Sequence, residues 1–484
     1  MGIIINQSFK NMITTYAGFA IGAVNTLFLF TYFLEKEYYG LVSFLLSAAN
    51  LVWPFMAFGV QNTLIKFYTS YKTEKEQQKL LNLVLILPVA VSIFIGLLGI
   101  LGYHELLNYF DAGNKLVKPY VWLIFVIAFA TAYFEVFFSW SKIKFKSVFG
   151  NFMKEVFQRL CVTILLVCVY LKWINVEQFI YATAGVFVFR ALSMQLYAFS
   201  LLKPDFGIKM PQNLVTILKY SFLIFIAGSV ATILLDLDKV MIEHYLPIGN
   251  VAVYGIAVYI ATVIAVPQKA LHQIIHPHTA NLLNNRDKGK LEDIYKRSSI
   301  SLLVVSGLIF ILIMVNINEL YKLMPPEYQV STVIVLLISL VKLYDNMLGN
   351  NNSILFNSDY YRLVLVFGIV LSLIAFGLNL LLIPSFGIMG AAVASFSAFF
   401  IYNTTKIIIV LKKFKIQPFT VKTWSILGFT AVLTLFFYYW DFPFYPIISI
   451  ALKSILVTAI YLFVMLKFNF SEDINQIIKK YISW

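Results

Sequence analysis

The sequence predicts an all-α polytopic membrane protein with about 14 transmembrane helices. Of its 484 residues, 60% are hydrophobic and only 12% are charged, which is about half the charged fraction of a soluble protein. The mean hydropathy is +0.83, and apolar runs long enough to cross a bilayer recur along the whole chain. The connections between these runs are short, so no soluble domain is expected.

Each apolar run ends at polar or charged residues, which places its limits to within a few positions. The predicted spans are 12–33, 42–64, 81–103, 119–140, 154–172, 178–200, 215–236, 251–275, 298–318, 331–352, 362–383, 388–411, 423–440 and 446–466. The first run lacks a small-residue cleavage site, so it is expected to be a retained helix rather than a signal peptide. Cys161 and Cys168 stand roughly 10 Å apart along one helix, too far for a disulfide.

Lysine and arginine are distributed unevenly over the connections when the N-terminus is placed inside. The inner segments then carry 28 of the 37 basic residues, and the outer segments carry six. This positive-inside bias predicts that both termini are cytoplasmic. It also explains the net charge of +14 without a nucleic-acid partner.

The connections also bear on function. The longest outer connection, 104–118, is too short for the large outer domain that polymerases and glycosyltransferases of lipid-linked sugars generally need.

A weak internal repeat pairs residues 37–41 with 251–256, and Pro54 with Pro267, at an offset of roughly 215 positions. The repeat divides the chain into helices 1–6 and 7–12, and repeats of this kind usually hold substrate near mid-membrane at their interface.

Short motifs in three parts of the chain are more specific than the hydropathy pattern. They are Glu37-Tyr-Tyr-Gly-Leu-Val-Ser-Phe; Asp238-Lys-Val-Met-Ile-Glu-His-Tyr-Leu with Val253-Tyr-Gly-Ile-Ala-Val-Tyr, Pro267-Gln-Lys-Ala-Leu and His276-Pro; and Phe386-Gly-Ile-Met-Gly-Ala-Ala-Val-Ala. These motifs resemble those of polysaccharide flippases, which belong to the multidrug/oligosaccharidyl-lipid/polysaccharide exporter superfamily. In topology the resemblance covers essentially the whole chain.

The resemblance implies two six-helix lobes that form a V, at residues 1–210 and 211–415, followed by two extra helices and a cytoplasmic tail at 416–484. It implies a flippase of a bacterial cytoplasmic (inner) membrane, working in surface polysaccharide biosynthesis such as that of lipopolysaccharide O-antigen. Its substrate would be a glycan on a polyprenyl diphosphate, moved to the outer leaflet, and its partners would be the bilayer and other polysaccharide-assembly membrane proteins. No motif selects the sugar, because one fold serves many substrates.

Charged residues inside a span are candidates for function because the bilayer makes them costly. Arg190 and Lys342 are expected to attract the diphosphate, one from each lobe, and arginine suits phosphate because its planar fork donates in pairs. The predicted phosphate and glycan site consists of Arg190, Lys342, Asn346 and Asn350. The alternative is that both cations serve structural ion pairs, Arg190 with Glu135 and Lys342 with Asp345.

A second set of residues is predicted to act in coupling or gating: Glu135, Asp345, Asp236, Asp238 and Lys239. The last three are expected to end helix 7, either as a cation or gate site or as a solvated helix end. Lys453 is interpreted as structural or as a snorkelling lysine. No cofactor is expected, and the choice between H⁺ and Na⁺ as a coupling ion stays open.

His272 and His276 stand one turn apart, but no adjacent third ligand follows them, so interface histidines rather than a metal site are expected. Two other functions remain as alternatives. A cation-coupled multidrug exporter on the same scaffold would need an acid-lined cavity. A membrane glycan polymerase or acyltransferase would need catalytic carboxylates or histidines at one bilayer face.

Overall fold

The computed structural model of the chain describes residues 2–102, 105, 114–205, 207, 210–358 and 360–476. Every regular element in these residues is a helix, which confirms the predicted fold class. The chain forms two compact units, Met1–Gly255 and Ile256–Trp484. The lobe boundaries at 210/211 and 415/416 stay predictions.

Among the described residues, the first unit contains ten α-helices. They are α1 Gly2–Val24, α2 Phe30–Phe33, α3 Lys36–Ala57, α4 Val60–Tyr68, α5 Glu74–Leu101, α6 Val121–Ile143, α7 Val148–Phe152, α8 Gln158–Tyr170, α9 Val176–Leu201 and α10 Leu214–Tyr245. Two π-helical turns, Asn25–Leu29 and Met153–Phe157, join α1 to α2 and α7 to α8. Helix α6 packs against both α3 and α9, so it lies inside the unit.

Local sequence explains where several of these helices begin and end. Helices α3 and α4 are separated at Phe58 and Gly59, which both adopt left-handed backbone angles after Pro54. The Asn175 side chain caps the start of α9 in a reciprocal capping box with Gln178, which satisfies backbone groups that the helix cannot.

Helix α11 Gly249–Thr262 begins at the end of the first unit and extends into the second. The second unit continues with α12 Val266–Asn284, α13 Lys288–Lys322, α14 Thr332–Met347, α15 Asn351–Phe356, α16 Tyr361–Phe414, α17 Val421–Tyr438 and α18 Pro446–Lys467. Helix α16 combines the predicted spans 362–383 and 388–411 across a kink at Gly387, where φ is +59° and ψ is −142°. Residues with a side chain rarely adopt these backbone angles, so glycine is required at the kink.

The C-terminal helices α17 and α18 pack against α13. The Tyr461 hydroxyl donates to the Val304 carbonyl oxygen at 3.0 Å. Lys453, which is fully buried, pairs with Asp441 at 2.9 Å. This buried ion pair agrees with the interpretation of Lys453 as a structural residue.

Each predicted span overlaps a helix of the structure. By length and composition, ten helices in the described part are suited to cross a membrane, and one of them, Val366–Phe414, covers two predicted spans. The chain is thus a multi-pass membrane protein, while the exact number of fourteen crossings stays a prediction. The clearest difference is α10, predicted over 215–236, which continues to Tyr245.

Candidate substrate and gating sites

Glu135 on α6 is the centre of a charged cluster in the first unit. Its carboxylate accepts a hydrogen bond from Lys154 Nζ at 2.5 Å, in the π-helical turn before α8. Lys142 and Arg190 are also close enough to stabilise this carboxylate electrostatically. We call Glu135, Lys142, Lys154 and Arg190 the first charged centre.

Arg190 on α9 lies in the interior of the unit, with only 4% of its surface exposed. Its guanidinium donates to the Gln158 side chain and lies 4.3 Å from the Phe134 ring and 4.8 Å from the Phe187 ring. Such contacts hold a cation over aromatic faces. Its Nε has no acceptor among the described residues, so one donor remains for another group. The partner of Glu135 is Lys154 rather than Arg190, which corrects the alternative pairing.

Asp345 on α14 occupies the corresponding position in the second unit. Its carboxylate pairs with Lys406 Nζ on α16 at 3.4 Å and accepts from Gln268 Nε2 on α12 at 3.1 Å. Lys406 is 2% exposed and also donates to Asn352 at 3.1 Å. Lys342 acts on Asp345 electrostatically, and its Nζ lies 5.5 Å from the Phe399 ring. We call Asp345, Lys342 and Lys406 the second charged centre.

Asn346 and Asn350 are completely buried next to this centre. Asn346 donates to the Ile264 carbonyl oxygen at 2.6 Å, and Asn350 donates to the Thr279 hydroxyl at 2.6 Å. These bonds join α12 and the turn before it to the end of α14. The two asparagines thus hold helices together in this structure, and their role in substrate binding stays a prediction.

The Asp236, Asp238 and Lys239 side chains lie within α10 rather than at its end. Asp236 accepts from Asn50 at 3.2 Å and pairs with Lys239 at 3.5 Å, while Asp238 accepts from the Tyr254 hydroxyl. Because neighbouring helices satisfy these carboxylates, the helix does not need to end there. The interpretation as a solvated helix end is wrong, and the gating role stays a prediction.

A second buried cluster in the first unit surrounds Glu243. Asn114 Nδ2 donates to the Glu243 carbonyl oxygen at 2.8 Å and to its Oε1 at 3.3 Å. Asn114 Oδ1 accepts from the Ile248 amide at 2.9 Å. Beside it, a Cβ on Gly40 would lie 2.1 Å from the Ile248 carbonyl oxygen, so only glycine permits this contact with α3. The repeat motifs at 37–41 and 251–256 flank this contact.

Glu243 is expected to make the stability of the protein depend on pH. Burial raises the pKa of Glu243 to about 7, although the Asn114 hydrogen bond opposes this effect. The folded protein then binds more protons than the unfolded chain between the ordinary carboxyl pKa and pH 7, so stability falls as the pH rises through this window. The measurement is thermal unfolding in detergent at pH 5 and pH 8.

Glu243→Gln is expected to lose most of this pH dependence and to be more stable than the unmodified protein at pH 8. Glu292→Gln, which alters a partly exposed pair with Lys296, serves as the control and keeps the original profile. An unchanged pH profile in Glu243→Gln would contradict the assignment.

The histidines of α12 contact the polar turn after α14. His272 Nε2 lies 3.2 Å from the Gly349 carbonyl oxygen, and His276 Nδ1 lies 3.4 Å from Asn357 Nδ2. Gly349 has a φ of +54°, and in this left-handed conformation its carbonyl oxygen lies within reach of His272. The histidines therefore contact neighbouring helices here, and their interpretation as interface residues stays a prediction.

Sequence reasoning missed Lys154 and Lys406 as members of the charged centres. Both were counted as basic residues of inner segments, because each stands near the end of an apolar run. One signal was available: Lys406 lies within the predicted span 388–411 and has no charged neighbour between Arg362 and Lys412, unlike the clustered lysines of a loop.

The comparisons with known proteins agree with this fold. The family model described as polysaccharide biosynthesis protein matches residues 6–268, more than half of the chain. A search of curated proteins found no significant match.

Three solved structures illustrate the similarity. A lipid II flippase MurJ in an inward closed conformation has a TM-score of 0.71 and 16% identity, covering 94% of this chain and 98% of its own. An inward-facing multidrug resistance MATE family transporter of the MOP superfamily has a TM-score of 0.58 and 13% identity, covering 86% and 95%. A MATE transporter from Vibrio cholerae has a TM-score of 0.54 and 12% identity, covering 86% and 97%.

At these identities the structures show the fold alone, whereas the family model identifies the sequence. The chain is therefore a member of the polysaccharide biosynthesis protein family, with the transporter fold shared by the lipid II flippase and the multidrug transporters of the MOP superfamily.

Proposed function

We propose that the protein is a flippase that moves polyprenyl-diphosphate-linked oligosaccharide from the inner to the outer leaflet of a bacterial cytoplasmic membrane. It works by alternating access, without an enzymatic reaction, and supplies surface polysaccharide biosynthesis. Membership of the polysaccharide biosynthesis family and the transporter fold support this assignment. Other membrane proteins of polysaccharide assembly would deliver and consume the glycan.

The observation that carries the proposal is an excess of positive charge around one carboxylate in each unit. Three cations surround Glu135 and two surround Asp345. Charges within a membrane are costly unless they serve a pathway or a partner. A diphosphate that crosses about 30 Å of hydrocarbon loses the solvation of bulk water. Cations along its path are therefore needed to stabilise its negative charge.

The experiment reconstitutes the purified protein in vesicles that contain a fluorescent polyprenyl-diphosphate oligosaccharide. A membrane-impermeant quencher reports the fraction of glycan in the outer leaflet. The expected result is equilibration of the two leaflets well above the rate of protein-free vesicles. Equal rates with and without protein would overturn the proposal.

The alternative is a cation-coupled multidrug exporter, which the structural similarity to multidrug transporters favours. The same vesicles are therefore tested with a fluorescent cationic drug under proton and sodium gradients. Drug movement without glycan movement would establish this alternative, because an anion carrier with surplus buried cations should not accept a cation.

A further inference from the structure

The two charged centres correspond in the internal repeat. Glu135 lies on the fourth predicted span and Asp345 on the tenth, 210 positions later. Arg190 lies on the sixth span and Lys406 on the twelfth, 216 positions later. Both offsets agree with the roughly 215 positions of the sequence repeat. Each half of the repeat thus carries one carboxylate on its fourth span and one buried cation on its sixth.

In each centre the carboxylate is outnumbered by its cations. Lys142, Lys154 and Arg190 surround Glu135, and Lys342 and Lys406 surround Asp345. Glu155 also acts on Arg190, but it is paired with Arg159 at 3.5 Å, so positive charge still exceeds negative charge in the first centre, as it does around Asp345. Uncompensated charge at a buried group is strongly unfavourable. Each centre therefore attracts an additional anion.

In each centre one member of the ion pair is more exposed than its partner. The Lys154 side chain is 43% exposed, whereas its partner Glu135 is 11% exposed. In the second unit Asp345 is the accessible member, at 29%, and Lys406 is buried at 3%. Exchange can begin at the exposed Lys154 ammonium in the first centre and by outward movement of the Asp345 carboxylate in the second, while Arg190 and Lys406 stay in place.

We propose that Glu135 and Asp345 are internal substitutes for a substrate phosphate. Each carboxylate holds the cations of its centre while the centre is empty, and a phosphate group displaces it when substrate binds. Carboxylate and phosphate accept hydrogen bonds from the same donors, so the exchange never leaves a buried cation without an acceptor. This inference rests on the proposed function, because it takes the transported anion to be a diphosphate.

The exchange explains how a buried cationic site releases its substrate. Without a competing carboxylate, phosphate bound to the buried Arg190 or Lys406 would be held tightly, because charge-assisted hydrogen bonds are strong at buried groups. A carboxylate that returns to the cations lowers the affinity and lets the substrate leave. Glu135 and Asp345 are therefore positioning residues that set the affinity, and they do not contact the glycan.

The test measures binding of inorganic diphosphate to the purified protein in detergent, by the concentration dependence of its unfolding temperature. Glu135→Gln and Asp345→Asn each remove a negative charge and keep the side-chain shape. Each variant is expected to bind diphosphate about tenfold more tightly than the unmodified protein, since one charge-assisted interaction no longer competes. Glu319→Gln is the matched control, because Glu319 is buried and paired with Lys322 at 2.7 Å outside both centres.

Transport provides a second measurement that a purely structural role would not change in this way. Both variants are expected to lower the glycan concentration that gives half-maximal transport and to lower the maximal rate, because substrate binds more tightly and leaves more slowly. If one of the variants unfolds in detergent, the stability that it regains on addition of diphosphate is measured instead. It must gain more stability from diphosphate than the unmodified protein does.

Equal diphosphate affinity in both variants and the unmodified protein would overturn the exchange and leave the flippase assignment intact. Absence of glycan movement by the unmodified protein would overturn the proposed function and leave the anion measurement valid. A gain in affinity for Glu319→Gln equal to that of the two variants would also overturn the exchange, because it would show a general charge effect.

Discussion

Transport of a lipid-linked diphosphate glycan is expected to fall at least about tenfold when Arg190 is replaced by methionine. A charge-assisted hydrogen bond contributes about 1.5–3 kcal/mol, and about 1.4 kcal/mol corresponds to a factor of ten. Methionine preserves the packing between the Phe134 and Phe187 rings but removes the cation. The measurement is the initial rate of glycan movement in reconstituted vesicles at equal protein content.

Arg190→Lys separates charge from geometry in the same assay. Lysine keeps the positive charge but lacks the planar fork that donates to Gln158 and stacks on the rings. An intermediate rate is expected. An unchanged rate in a stable Arg190→Met protein would remove this residue from the transport mechanism.

Removal of the Asp345 carboxylate is expected to destabilise the second unit strongly. Asp345→Ala leaves Lys406, which is 2% exposed, without its carboxylate partner. Breaking a buried ion pair in this way costs about 3–5 kcal/mol. The lower end of this range is expected because the Asp345 side chain is 29% exposed. Denaturation of the purified protein in detergent provides the measurement.

The double variant Asp345→Ala/Lys406→Met tests the pairing directly. It removes both charges, so most of the lost stability should return, and the difference from the sum of the single variants gives the interaction energy. Asp287→Ala, which breaks an exposed pair with Lys290 at 3.0 Å and removes the side-chain cap of α13, should lose less stability than Asp345→Ala. Additive effects of the two changes at 345 and 406 would contradict the ion pair.

Several features of the fold follow from short stretches of sequence. Apolar runs located the helices, and the boundary predicted between 383 and 388 coincides with the kink at Gly387. The end of α10 was placed nine positions too early, because Asp236 and Asp238 were interpreted as a polar terminus. Their partners Asn50 and Tyr254 belong to other helices, so no local pattern announces that these carboxylates are satisfied.

In the candidate site, too, the sequence identified the residues but not their partners. Arg190, Glu135, Lys342 and Asp345 were found from their charge within apolar runs, since such residues are rare in a bilayer. Their pairing was not found: Glu135 binds Lys154 and Asp345 binds Lys406. Lysine counts along the connections cannot distinguish a residue in water from one whose helix turns it inward.

Hydropathy was sufficient to establish the membrane class and the positions of the helices, because both depend on the local cost of placing residues in hydrocarbon. The choice of partner for each buried charge depends instead on which helices meet and at what depth. That choice is made by packing between residues far apart in the chain, and it places one carboxylate with surplus cations in each unit.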